Sequence, residues 1–176
     1  MRPNRSILLV ERKRFQMSVH RIREYPDPVL MSTAERVGEF NEELLSLVDD
    51  MWETMAEYDG VGLAAPQIGF GIQVAVVGWK DRKIILVNPE VLEVEGETVQ
   101  EEGCLSAPGV FEKVVRPDRI VVQAQDEKGK PQRIEETGFL ARAIMHEIDH
   151  LHGQLFFDRL SPLKRKFLKR KLQKRG

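Results

Sequence analysis

The stretch MHEIDHLHG at positions 145–153 places His146 and His150 four residues apart, with Glu147 beside the first. On a helix, residues four apart lie above one another, so the two imidazoles can close on a single metal ion. Glu147 sits one residue round, near enough to take a proton from a water on that ion without itself being a ligand. The chemistry these three residues offer is metal-assisted hydrolysis.

Two histidines do not complete a metal site. Common zinc peptidases find the third ligand downstream of the second histidine, but here the position three after Gly153 is Phe156 and no glutamate follows Glu147. Asp158 is the only acid after His150. His152 projects from another side of the helix, and His20 belongs to the N-terminal segment. Cys104, the only cysteine, remains. Thiolate is a strong ligand for zinc or ferrous iron, and Cys104 lies in EEGCLSAPG, a segment whose Gly103 and Pro108 suit a loop. Alone it would be read as a small buried hydrophobe; beside an unfinished two-histidine site it becomes the third ligand. Three protein ligands leave one coordination position open, as in catalytic rather than structural sites.

These residues must be positioned by regular elements. Gly138 to Leu151 is helical by its Leu140, Ile144, Ile148 and Leu151 stripe, with Gly153 as the C-terminal glycine. Asn41 to about Asp59 carries a second stripe of Leu44, Val48, Met51, Trp52 and Met55, which ends at Asp59-Gly60. The following GVGLAAPQIGFG has too few polar residues for a solvated linker and reads as a buried or ligand-lining loop. β-branched runs at Ile72–Val77, Ile84–Val87 and Val91–Val94, separated by Gly78, Lys80-Asp81 and Asn88-Pro89, predict short strands. Arg119–Gln125 and Gln132–Glu135 flank the turn DEKGK as a hairpin. Ser161-Pro162 begins a final helix as cap and first residue, with Leu163, Phe167 and Leu172 as its apolar edge. The fold class is α+β, with mixed or antiparallel sheets wrapped round the central histidine-bearing helix and a C-terminal helix beyond it.

The chain has 176 residues, 41% apolar and 31% charged, the profile of a soluble globular domain. One cysteine allows no internal disulfide, and no apolar run is long enough to span a bilayer; a cytoplasmic address is expected, with no membrane partner. Residues 1–16 are basic and read as a disordered N-terminal extension or an upstream start ahead of Met17-Ser18, a natural beginning, with a short transit-like leader as the alternative. Residues 161–176 hold eight lysines and arginines and no acid, so residues 1–160 hold 19 bases and 28 acids, a net charge of −9. A basic helix is appended to an acidic body spanning 17–160.

Three stretches, GVGLAAPQ at 60–67, EGCLS at 102–106 and HEIDHLHG at 146–153, together with YPDPVL at 25–30, resemble the peptide deformylases over about Val19 to Leu163. These enzymes remove the formyl group from the initiating methionine of nascent chains. The resemblance implies that Cys104, His146 and His150 are metal ligands and Glu147 the general base and acid. Gln67 and the backbone N–H of Leu105 match the two donors to the formyl oxygen. Gly62 matches the position whose backbone pairs with the extended peptide. The implied cofactor is one divalent ion, ferrous iron first, with zinc, nickel or cobalt able to take its place. The family commonly has glutamine before the His-Glu pair, where this chain has Met145.

By their places beside Gly62 and on the turns before His146, Val61, Phe139 and Ala143 are candidates for the methionine pocket. Glu102 and Arg116 match charged positions of the family and are expected to pair beneath the Cys104 loop. The substrate implied is an N-formylmethionyl peptide, and the basic tail suits the ribosome by phosphate neutralisation, with no sequence-specific nucleic acid. An ordinary metallopeptidase would use the same water and glutamate but lacks its downstream ligand here. A metal-sensing or ribosome-binding module would leave Gln67 and the glycine loop without a role.

Overall fold

A computed structural model of the chain describes residues 18–174; the extension expected over residues 1–16, and Arg175 of the basic tail, lie outside the described residues. Helix α1 (Glu42–Glu57) starts where the Asn41 side chain accepts the Leu44 N–H, and it stops before Asp59, which takes a left-handed φ of 52°. Seven strands follow: β1 (Gly62–Ala64), β2 (Val74–Trp79), β3 (Arg82–Glu95), β4 (Thr98–Gly103), β5 (Phe111–Arg116), β6 (Arg119–Gln125) and β7 (Pro131–Thr137). Helix α2 (Gly138–Leu151) and the terminal α3 (Pro162–Gln173) complete the chain. No helix of the described residues is long and apolar enough to cross a membrane.

Five strands form one antiparallel sheet in the order β1-β2-β3-β6-β7, and β4 and β5 pair separately. Alternation along β2 divides the core. Ala75 and Val77 face α2 and pack with Ala141, Ile144 and Ile148, while Val74 and Val76 face α1 and pack with Leu47, Val48 and Met51. A third cluster under the β4–β5 hairpin joins Tyr25, Val114, Phe156 and Phe157 to Leu168 and Leu172 of α3. Helix α2 therefore lies centrally, as an α+β fold built round the histidine helix requires. Met145 is only 8% exposed in the core between α2 and the sheet, so its replacement of glutamine concerns packing.

The structure departs from the sequence reading at four places, the first being that GVGLAAPQIGFG, read as a loop, contains strand β1 and a 3-10 helix over Ala65–Ile68. Asn88-Pro89 does not separate two strands. Instead β3 runs through it with a register shift between Val87 and Glu90, and Asn88 takes a φ of 50°. The Asn88 side chain accepts from Val37 N at 2.8 Å and donates to Val37 O and Gln125 Oε1, both at 2.9 Å, which stabilises the bulge. Strands β4 and β5 have only three buried residues, Glu102, Val114 and Arg116, two of them charged, so no apolar alternation announced them. On α3 the seated edge is Leu168 and Leu172, whereas Leu163 and Phe167 are 80% and 66% exposed. The apolar seat of the helix is the cluster that includes Tyr25 and Phe157, and Lys164 and Lys169 tie it to Glu112 of β5 and to Asp158 at 2.8 and 3.0 Å.

Candidate active site

Cys104 leaves the end of β4 in a tight turn closed by Ala107 N–H on the Cys104 carbonyl at 3.0 Å. Gly103 precedes it, and a Cβ there would lie 2.5 Å from the Phe111 ring. The turn brings the thiol against α2. Ligand atoms of Cys104, His146 and His150 all lie within 4.8 Å of one another, and Cys104 Sγ is 3.3 Å from His150 Nε2. The other two histidines are engaged elsewhere: His20 Nε2 with Asp50 at 3.0 Å, and His152 Nδ1 with the Ile148 carbonyl at 2.9 Å.

A buried ionic network sets the orientation of the trio. Glu102 Oε2 lies 3.1 Å from His146 Nδ1; if that nitrogen donates, Nε2 is left with its lone pair for a ligand. Arg116, fully buried, grips Glu102 through Nε at 2.8 Å and a second guanidinium nitrogen at 2.9 Å, and reaches Asp149 at 2.5 Å. Arg142 donates to Glu102 at 2.6 Å, and Arg159 holds both Asp149 oxygens at 2.6 Å. Burial would push the Glu102 carboxyl upward, but the hydrogen bonds from Arg116 and His146 outweigh it and hold the group well below the usual carboxylate range. The two imidazoles move in opposite senses. Burial would lower His146, yet its bonds with Cys104 and Glu102 raise it, whereas burial and the neighbouring positive charges of His146 and Arg116 lower His150. Arg142, Asp149 and Arg159 were missed from sequence. The only available signal was that Asp149 lies between the two histidines on α2.

Glu147 is 4% exposed, and its Oε2 has no hydrogen-bond partner among the described residues. Burial raises its carboxyl to about 7. Above it lies Gly62, where a Cβ would come within 2.8 Å of Glu147 Cγ and Cδ, so only glycine leaves room for the carboxylate. In the β1–β2 ladder Gly78 N–H donates to the Val61 carbonyl at 2.8 Å. By the alternation of antiparallel pairing, the N–H and C=O of Gly62 then face the open edge of the sheet. Gln67, 2% exposed, is locked by accepting Ala64 N–H at 2.9 Å, which aims its Nε2 at Cys104 Sγ, 3.6 Å away, and Ser106 Oγ, 3.3 Å away. Leu105 N–H, next to Cys104, makes no hydrogen bond among the described residues. Ala143 packs against the α2 core cluster, Val61 is half-buried, and Phe139 is 40% exposed against Trp79.

One thiol and two imidazoles converge beside a carboxylate oxygen that is buried and unpartnered, so the donor set fits a divalent cation with an open position for water. Fold and site together define a metal-dependent hydrolase built on a His-Glu-x-x-His helix. Residues 19–166 match the family model for polypeptide deformylase, and the chain belongs to that enzyme family. It is 48% identical to a peptide deformylase of Acidobacterium capsulatum over 163 residues, 90% of this chain and 96% of the relative. It is also similar to the crystal structure of a peptide deformylase from Legionella pneumophila, with 46% identity and a TM-score of 0.84 over 89% of this chain and 95% of that one. The Ehrlichia chaffeensis peptide deformylase in complex with actinonin gives 38% identity and a TM-score of 0.84, over 91% and 99% of the two chains.

Proposed function

We propose that this chain hydrolyses the N-terminal formyl group of formylmethionyl peptides, releasing formate, with Cys104, His146 and His150 as ligands of one ferrous ion. The observation that carries the reading is the buried, unpartnered Glu147 carboxylate oxygen beside that donor trio. When bound, the ion supplies Lewis acidity, which makes a water nucleophilic at neutral pH; zinc, nickel and cobalt suit the same donors. Glu147 accepts the proton of the attacking water and later gives it to the departing amine. Gln67 Nε2, 3.6 Å from Cys104 Sγ, and the N–H of Leu105, the next residue after Cys104, donate to the oxygen that becomes negative. The Gln67 amide is fixed before substrate arrives, so its alignment costs little during the reaction.

Gly62 offers its N–H and C=O to an extended peptide, and the direction of that peptide follows from three contacts. Gln67 touches Cys104, Gly62 lies against Glu147, and Trp79 at the far end of β2 meets Phe139. Moving along β1 from Gln67 back towards Gly60 is therefore moving along α2 from His150 back towards Phe139. With the formyl group at Cys104, the peptide runs antiparallel to β1. The methionine side chain opposite Gly62 turns towards α2, against Val61, Ala143 and the inner edge of Phe139.

The test is formate release by anaerobically purified, iron-loaded enzyme. Turnover of formyl-Met-Ala with no cleavage of unformylated peptides supports the reading, and peptide-bond cleavage would replace it with a metallopeptidase. We further propose that residues 17–160 form the catalytic body in the cytoplasm and that residues 161–176 dock the enzyme on the ribosome. Lys166, Arg170, Lys171 and Lys174 of α3 are exposed, beside the uncovered Phe167. Truncation after Pro162 should abolish salt-sensitive co-sedimentation with ribosomes; equal pelleting of the truncated chain would remove the docking role.

A further inference from the structure

Residues 18–25, ahead of the first helix, form a strap across the two turns that carry Gln67 and Cys104. Its outer end is tied to α1, where His20 N–H donates to Thr54 Oγ1 at 2.9 Å and the His20 ring meets Asp50 at 3.0 Å. Ile22 is buried in the cluster that includes Leu47, Val48 and Met51. The inner end is tied by Tyr25, whose ring meets Phe157 edge-on with centroids 5.5 Å apart. Between these anchors two backbone donors serve two different turns. Arg23 N–H donates to the Gln67 carbonyl at 2.7 Å, and Tyr25 N–H donates to the Ser106 carbonyl at 2.9 Å. The side chains of the same two acceptor residues meet, with Gln67 Nε2 donating to Ser106 Oγ at 3.3 Å. Strap, Gln67 and Ser106 therefore close a ring of three hydrogen bonds, two through backbone and one through side chains. Ser106 is fully buried at its centre.

Resting on the deformylase reading above, we infer that Ser106, braced by the backbone of Arg23 and Tyr25, is a positioning residue that aims the Gln67 amide at the formyl oxygen. A primary amide is planar and offers one acceptor and two N–H donors. In Gln67 the acceptor takes Ala64 N–H at 2.9 Å, which decides which end of the amide faces Cys104. Held there alone, the plane could pivot about a single bond. Ser106 engages the amino end and supplies the second fixed point. One N–H is thereby committed, and the other is left for the Cys104 side, where Sγ lies 3.6 Å from Nε2 and the reacting oxygen must come. The strap in turn ties the backbone of both turns to one short segment, so the amide and its hydroxyl partner keep their separation. A donor of this kind works by being aligned before charge develops, so loss of aim lowers kcat and leaves ground-state binding alone. The loss is bounded above by removal of the amide itself. Giving a buried glutamine back part of its rotamer freedom is worth on the order of tenfold in productive orientation.

The experiment measures kcat, KM and metal content of the iron-loaded full chain with formyl-Met-Ala, in a cycle of native enzyme, Ser106→Ala, Gln67→Ala and the double variant. Ser106→Ala should lower kcat about tenfold, with KM within about twofold of native and metal retained. In the Gln67→Ala background the same substitution should change kcat by less than about twofold, because the amide it aims is gone. A second probe leaves Ser106 in place. Replacing Tyr25 with the α-hydroxy acid of the same side chain exchanges its N–H for an ester oxygen, and kcat should fall about threefold. Arg21→Ala, an exposed change on the same strap, should leave kcat unaltered. Native kcat in Ser106→Ala would overturn the inference. So would an equal loss in both backgrounds, the mark of a merely structural role, and native kcat in the Tyr25 ester would overturn the brace. Failure of the deformylase reading itself looks different, because then the native chain releases no formate from formyl-Met-Ala.

Discussion

Replacing Gly62 with alanine tests the site at the point where backbone and base meet. The new Cβ would lie 2.8 Å from Glu147 Cγ and Cδ, and closer still to Oε1, so Cγ and Cδ must retreat by about 0.6 Å, and Oε1 by more, to restore an ordinary 3.4 Å contact. The carboxylate has little room, since Glu147 is 4% exposed and flanked by two proposed metal ligands on one helical turn. A misplacement approaching 1 Å costs on the order of 100-fold in rate. The backbone at Gly62 needs no left-handed φ, so the loss would come from the displaced carboxylate rather than from strain. The assay is kcat/KM on formyl-Met-Ala, with metal content and thermal midpoint measured on the same sample. Gly71→Ala is the control, because a Cβ there meets nothing within 4 Å. Expected is a roughly 100-fold loss in Gly62→Ala with metal retained, and no change in Gly71→Ala. Full turnover by Gly62→Ala would show that the position of Glu147 does not govern the reaction.

Glu147→Ala should keep its metal and lose turnover, as metal analysis beside formate release will show. In the native enzyme the base must be ionised, so kcat/KM should fall with acid below about pH 7, or lower once a dication beside the carboxylate favours its charged form; a flat profile down to pH 4 would argue against it. Cys104→Ser should weaken metal binding by more than the roughly 10–100-fold typical of losing an outer hydrogen bond, read by competition with a chelator. Gln67→Ala should lower kcat by about 100–1000-fold with metal intact, the scale of one oxyanion donor, and unchanged kcat would remove the amide from the mechanism. Glu102→Gln removes a buried partner of Arg116 and should cost about 3 kcal/mol in denaturant unfolding at neutral pH. The Glu102 carboxyl is held below its unfolded value near 4.3, so its contribution is complete above about pH 5 and is lost as acid protonates the unfolded chain. The stability gap between native and variant should therefore narrow on acidification, and a constant gap would refute the assignment.

The two helices with strong apolar stripes were legible almost to the residue, because burial on one face leaves a period that composition alone reveals. Ser161 was legible as a cap for the same local reason, while Asn41 was legible only as the start of its helix. The trio Cys104, His146 and His150 could be assembled by elimination, since only one cysteine was available and the downstream positions lacked a ligand. What stayed hidden is long-range pairing. The β4–β5 hairpin has few buried positions, and Val114 is among its rare core side chains, so periodicity gave no sign of it. Arg142, Asp149 and Arg159 look like ordinary surface charges in sequence; Arg142 and Asp149 are buried only because three separate segments meet behind His146, and Arg159 reaches in from a partly exposed position. Asn88-Pro89 carried a true signal of irregular backbone, but a bulge and a strand end share that signature. The seated edge of α3 was misjudged because Leu163, Phe167, Leu168 and Leu172 are compatible with more than one face, and only the docking partner chooses between them.

An exposed sheet edge invites other strands to add to it, which is how many β proteins aggregate. On β1 that invitation is brief. The strand is three residues long, and Pro66 follows it with no N–H to give. Ala64 N–H is already spent on the Gln67 side chain, which leaves Gly62 as the strand residue with both backbone groups turned outward. The opposite edge, β7, carries Arg133, Glu135 and Glu136, and Glu136 is tied to Arg82. A sheet so trimmed can hold the end of a single chain by its main chain, whatever that chain encodes, yet it gives a long strand from a neighbouring molecule too little purchase to begin a fibre.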